Sequence, residues 1–195
     1  MADIDVPDYE ELAEQAKNRF GRRVALVTAL YAVLLAITSL GGNNAGKDMM
    51  LSQQQASNNW AFYQSKVMRE HTYRIEALKT KALLAERGAI MAPQARREYA
   101  ELLALAEKES ARFAMEKKEI EAKAKQLEES RDVSMRKDPY FDFAEAFLQI
   151  AIVLSSIAIL SNSLAVFCIS AASAACGTVL MVNGYTLLFS LPFLG

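Results

Sequence analysis

The chain has 195 residues, 23 acidic against 22 basic side chains, and 52% hydrophobic residues. Residues 41–140 carry 18 of the 22 Lys and Arg, whereas residues 146–195 carry no charged side chain. A soluble globule mixes both kinds of residue in every segment, so this partition excludes one and points to a membrane protein.

Residues 1–23 begin acidic (Asp3, Asp5, Asp8, Glu10, Glu11, Glu14) and end basic (Lys17, Arg19, Arg22, Arg23). Val24–Leu40 follows as 17 uncharged, mostly apolar residues. That core is long for a cleaved signal peptide, six acids precede it, and Ser39-Leu40-Gly41 is a poor cleavage site. It reads as a retained transmembrane helix that borrows flanking residues to reach about 20.

Residues 41–140 read as an extramembrane α-helical stalk. In the first arm, apolar or aromatic residues step by three and four through Trp60, Tyr63, Val67, His71, Ile75, Leu78, Ala82, Ala85 and Ala89. In the second arm, Tyr99, Ala106, Phe113, Ile120 and Leu127 recur every seven, with Leu102, Leu103 and Ala124 beside them. Glu109, Glu116 and Lys123 interrupt that seam three residues after its heptad positions. Gly88 and Pro93 bracket the one break, with Pro93 suited to the first turn of the next helix. Each arm then has about 43 residues, roughly 65 Å at 1.5 Å per residue. Equal arms predict an antiparallel, coiled-coil-like hairpin with its turn near 88–93. So thin a pair gains little from its own core, which favours packing against other copies. Its basic and acidic residues are interleaved, so no nucleic-acid partner is expected.

The last apolar region is too long for one crossing of a roughly 30 Å hydrocarbon core. Its polar break, Ser161-Asn162-Ser163, divides it into spans at 143–160 and 164–190. The expected architecture is therefore an all-α membrane protein with three transmembrane helices and a long helical hairpin between the first and second. Basic residues crowd the approach to the first span, which predicts a cytoplasmic N-terminus and a periplasmic stalk. Arg131, Arg136 and Lys137, just before the second span, argue the other way.

The segment GGNNAGKDMMLSQQQASNNWAFYQSKVMREH carries a distinctive block: Ala56, Ser57, Asn58, Asn59, Trp60, Phe62, Tyr63, Gln64, Ser65 and Lys66. This block, with the later FAEAFLQIAIVLSSIAIL, resembles the bacterial membrane-protein family known as domain of unknown function 4337. The resemblance implies three spans and an external helical domain. It implies no activity, cofactor or catalytic residue.

Trp60, Phe62, Tyr63, Gln64 and Lys66 form the densest side-chain cluster. With Phe113 and Ile120 they are candidate interaction or oligomer contacts. The cluster reads either as an anchor where arms or subunits pack, or as a docking site for an envelope partner or a pore end. Glu145 and Gln149, four apart, share a helix face near the second span. The Glu145 carboxylate either snorkels to the headgroups or handles an ion at an interface. In the third span the small pairs Ser170-Ala174, Ser173-Gly177 and Ala171-Ala175 permit close helix approach. Gly177 and Gly184 lie seven apart, with Asn183 beside the second. Cys168 and Cys176 read as small apolar packing residues. His71 has no second His or Cys to make a metal site, and no triad, phosphate loop or nucleotide fingerprint occurs. No cofactor and no enzymatic activity are expected. The expected function is a structural or interaction subunit of the bacterial inner membrane, homo-oligomeric, with the bilayer and an envelope protein as partners. The alternative is a homo-oligomeric channel or conductance regulator, hinted at by Gln149, Ser155, Ser156 and Asn183.

Overall fold

The computed structural model describes residues 9–190, with side chains described from Arg19 onward. The acidic stretch before Tyr9 lies outside the described residues. The described chain is all helical: α1 is Tyr9–Arg87, α2 is Pro93–Ser161 and α3 is Leu164–Thr186. No strand occurs among the described residues. Each helix contains a stretch long and apolar enough to cross a membrane.

The chain forms two compact units. One is Met49–Asp132, and the other gathers the chain before Met49 and after Asp132.

In the Met49–Asp132 unit, α1 and α2 run alongside in opposite directions. Glu128 meets Trp60, Lys117 meets Glu70, and Glu116 meets Lys66, so one helix rises in number as the other falls. The reversal occupies residues 88–92. Gly88 N–H donates to the Leu84 carbonyl at 2.9 Å, and a Cβ at Gly88 would stand only 2.3 Å from that oxygen. Pro93 opens α2, where its missing N–H costs no intrahelical bond.

The inner face of α1 in this unit differs from the series of apolar residues read along the sequence. Covered or partly covered positions recur every seven, at Ala56, Tyr63, Glu70, Ala77 and Leu84, with Lys66, Tyr73 and Thr80 between them. The sequence series starts on this face at Trp60, Tyr63 and Val67. It leaves by two successive steps of four, so His71, Ile75, Leu78, Ala82 and Ala85 are exposed. The physical reason is periodicity: a 3.6-residue repeat drifts about 20° per heptad from a 3.5-residue one. On α2 the heptad residues Ala106 and Phe113 are buried, and Tyr99, Ile120 and Leu127 are half-buried.

The other unit packs parts of all three helices. Val24, Tyr31, Thr38 and Ala45 of α1 are buried and recur every seven. Phe141, Ala144, Leu148, Ala151, Ser155 and Ala158 of α2 alternate steps of three and four. Ser170, Ala174, Gly177 and Gly184 of α3 complete the interior. Most of these residues are small, so the backbones come close. Many large aliphatic side chains turn outward instead, as Leu26, Leu30, Val33, Ile37 and Leu40 do on α1. Cys168 and Cys176 are free and exposed, away from the interior where packing residues would sit.

Two features run against simple helix propensity. Gly41, Gly42 and Gly46 lie inside the uninterrupted α1, and Pro139 lies inside α2. Pro139 has no N–H to donate to the Met135 carbonyl, so α2 is one rung short there. Between α2 and α3, Asn162 takes φ 49° in a tight reversal, and the Ser163 hydroxyl accepts from Val166 N–H to cap α3.

Candidate functional site

In the Met49–Asp132 unit, the densest polar cluster forms around Phe113. Its ring is 3% exposed and stacks on Tyr73 with centroids 5.8 Å apart. Three cations surround it: Arg112 at 4.7 Å, Lys66 at 5.2 Å and Arg69 at 5.8 Å from the ring centre. The negative face of the aromatic quadrupole attracts such cations. Lys66 Nζ also donates to Glu116 Oε2 at 2.6 Å, and Arg112 Nε reaches Glu116 Oε1 at 3.3 Å. The Lys66 hydrogen bond holds the Glu116 carboxyl below the usual carboxylate range, aided by Arg112 and Arg69. One turn along α1, Glu70 binds Lys117 Nζ at 2.5 Å and raises the lysine above its ordinary value. The acidic interruptions of the second-arm seam are thus bonded: Glu116 crosses to Lys66, and Glu109 takes Arg112 Nη2 at 2.8 Å.

The predicted aromatic cluster divides by helix face. Trp60 Nε1 donates to Glu128 Oε1 at 2.9 Å and packs edge-on to Tyr63, with ring centres 5.4 Å apart. Lys66 joins the Phe113 cluster, and Ile120 is half-buried on α2. Phe62 is 64% exposed and Gln64 is exposed, so both point outward. His71 is also exposed.

In the three-helix unit, α2 and α3 are joined by a ladder. Ser170 Oγ donates to the Ala151 carbonyl at 2.7 Å, and Ser173 Oγ donates to the Phe147 carbonyl at 2.8 Å. At Gly177 a Cβ would stand 3.0 Å from the Ala144 carbonyl oxygen. Each step along α3 descends one turn of α2. Ser155 and Ser170 oxygens lie 2.7 Å apart. Because the single Ser170 proton is committed to Ala151, Ser155 is the donor in that pair.

Above this ladder, Phe141 sits between glycines of two helices. A Cβ at Gly41 would meet its ring at 2.6 Å, and one at Gly184 would meet it at 3.0 Å. Tyr185 packs edge-on to the same ring at 4.9 Å and donates its hydroxyl to the Ile37 carbonyl at 3.0 Å. Asn183 is buried, and its amide closes the end of α3. Nδ2 donates to the Phe189 carbonyl at 2.8 Å, while Oδ1 accepts from Phe189 N–H at 3.1 Å. Leu187, at φ 50°, makes the reversal and donates its N–H to the Asn183 carbonyl.

Gln149 is exposed and donates to Glu145 Oε1 at 3.4 Å. Ser156 is exposed and bonds its own helix at the Ile152 carbonyl. Ser155 and Asn183 are interior, so these four polar residues do not share one face. Sequence reasoning missed Phe141, Tyr73 and Tyr185. The available signal was the glycine pair at 41 and 42, which requires a bulky neighbour to fill the gap. Among the described residues, no three His, Cys, Asp or Glu side chains are gathered to hold a metal ion. The arrangement can pack and bind helices.

No curated protein and no solved structure matches the chain. The family described as domain of unknown function (DUF4337) matches residues 20–187, and the chain belongs to that family.

Proposed function

We propose that the protein is a structural subunit of the bacterial inner membrane, with three helices through the bilayer and a coiled-coil-like hairpin outside it. It assembles with copies of itself, and the hairpin docks an envelope partner. The observation that carries this reading is the distribution of apolar surface. Only 22%, 28% and 22% of the residues in the three most apolar windows are buried within the chain. Exposed rows such as Ile150, Val153, Ile157 and Leu160 need a hydrocarbon solvent. Inside, where lipid offers no hydrophobic drive, small residues and hydroxyl-to-carbonyl bonds hold the helices together.

The N-terminus is cytoplasmic and the hairpin periplasmic, as the basic residues Arg19, Arg22 and Arg23 before the first span favour. Cys labelling tests this on a variant with Cys168 and Cys176 replaced by Ser and Gln94 by Cys. A non-permeant reagent should label intact spheroplasts; labelling only after lysis would reverse the orientation. Light scattering of protein in detergent and in nanodiscs should give a multiple of the chain mass. A monomer at every concentration would overturn self-assembly.

A further inference from the structure

Beside its intrachain face, α1 carries a second heptad seam that nothing among the described residues covers. Met68, Ile75 and Ala82 recur every seven residues, and His71, Leu78 and Ala85 follow each by three. All six are exposed, with Met68, Ile75 and Leu78 at 69%, 50% and 60%. This alternation of three and four is the spacing at which one helix meets another. A purely solvated face would carry charge at these positions, as the intervening Arg69, Glu76 and Lys79 do.

The seam borders a groove of about 300 Å³ between α1 and α2. Arg74, Leu78 and Lys81 form one lip and Glu107 the other, over a floor that includes Ala77 and Ala111. We propose that the α1 seam of a second copy of this chain, running parallel, docks here. This deepens the self-assembly reading and rests on it. Copies held in one bilayer in one orientation present the seam at the same residue, and tethering raises their effective concentration. In a parallel register the residues flanking one copy's seam face those five further along its neighbour. Glu86 of the second copy then meets Lys81. By the same rule Lys79 of the second copy faces Arg74, a like charge that Glu107 on the opposite lip of the groove offsets.

The test uses the full chain in lipid nanodiscs, with Cys168 and Cys176 replaced by Ser. Mild oxidation of the Leu78→Cys variant should give a disulfide-linked dimer, at least roughly tenfold above Lys118→Cys on the exposed surface of α2. Lys81→Glu or Glu86→Lys alone should lower the dimer fraction at Leu78→Cys, and the two together should restore it. An oligomer by light scattering with neither cross-link nor charge-swap rescue overturns the seam but leaves self-assembly standing. A monomer in lipid overturns both. Cross-linking of Leu78→Cys to a different protein overturns the second copy as occupant.

Discussion

The ring of Phe141 fills the space that a side chain at Gly41 would need: a Cβ there would stand 2.6 Å from Phe141 Cε1. The same Cβ would lie 2.7 Å from the Tyr185 hydroxyl, which bonds the Ile37 carbonyl one turn before Gly41. One missing side chain on α1 therefore admits both an α2 ring and an α3 hydroxyl. Gly41→Ala should destabilise the three-helix unit by about 1–3 kcal/mol, the usual range for overpacking. Thermal unfolding in detergent, followed by circular dichroism, measures it. Phe141→Leu in the same chain should recover part of the loss, giving a coupling energy of opposite sign to the single effects. Additive effects would separate the two sites.

Ser170 and Ser173 donate from α3 to the α2 backbone, reaching the Ala151 and Phe147 carbonyls. Ser170→Ala and Ser173→Ala should each cost about 0.6–1.7 kcal/mol, as interhelical bonds in membranes do. Ser156→Ala should be silent, because that exposed hydroxyl bonds only its own helix. The three variants differ by one oxygen each, so unfolding in mixed micelles compares them directly.

Several features were legible in the sequence because they follow from solvent and spacing. Charge-free runs mark the apolar stretches, Gly88 and Pro93 mark the reversal, and Ser170, Ser173 and Gly177 announce close packing. What was not legible depends on partners. Gly41 and Gly42 look like the end of a helix; they lie inside α1, with Phe141 and, at Gly41, Tyr185 standing where side chains would. Glu109 and Glu116 look like flaws in a seam until Arg112 and Lys66 are placed against them. The drift from the buried face after Val67 is a matter of a tenth of a residue per turn, which apolar identity alone does not resolve. Asn183 looks like a polar side chain for a pore, and its amide bonds both backbone groups of Phe189 just beyond α3.

The Lys66–Glu116 pair gives the hairpin an acid-sensitive joint. Lys66 lowers the Glu116 pKa, so folding favours the ionised carboxylate. Its contribution is fully present above the ordinary glutamate pKa and is lost as pH falls through the lowered folded value. Acidification across that window should lower the melting temperature of the wild type. Glu116→Gln should remove part of that pH response while lowering the melting temperature at neutral pH. Glu119→Gln, on the exposed surface of α2, is the control.

Asp138 responds in the opposite sense. Burial first, and then the neighbouring charge of Asp142, raise its pKa above the ordinary aspartate value. The folded chain therefore favours the protonated acid, and stability falls as pH rises from the unfolded value through the raised folded one. Asp138→Asn should be more stable than wild type at neutral pH, with the gain vanishing in acid below the unfolded pKa. Parallel melts at several pH values would show the two curves converging as pH falls.

Asn183 satisfies both backbone groups of Phe189, donating to its carbonyl and accepting from its N–H. It thereby holds a reversal that begins with Leu187 at φ 50°, a conformation costing a non-glycine residue about 1–2 kcal/mol. Asn183→Leu removes both bonds and leaves the Phe189 carbonyl only its bond from the Tyr140 hydroxyl, at 3.2 Å. The loss expected is about 0.5–1.5 kcal/mol per bond, the usual net worth of a hydrogen bond. Leu187→Gly relieves the backbone cost, so the double variant should be more stable than Asn183→Leu alone. Hydrogen exchange at the Phe189 amide reads the effect locally: protection should fall in Asn183→Leu and persist in Leu187→Gly. A pore-lining asparagine would show the reverse, with protection unchanged on substitution.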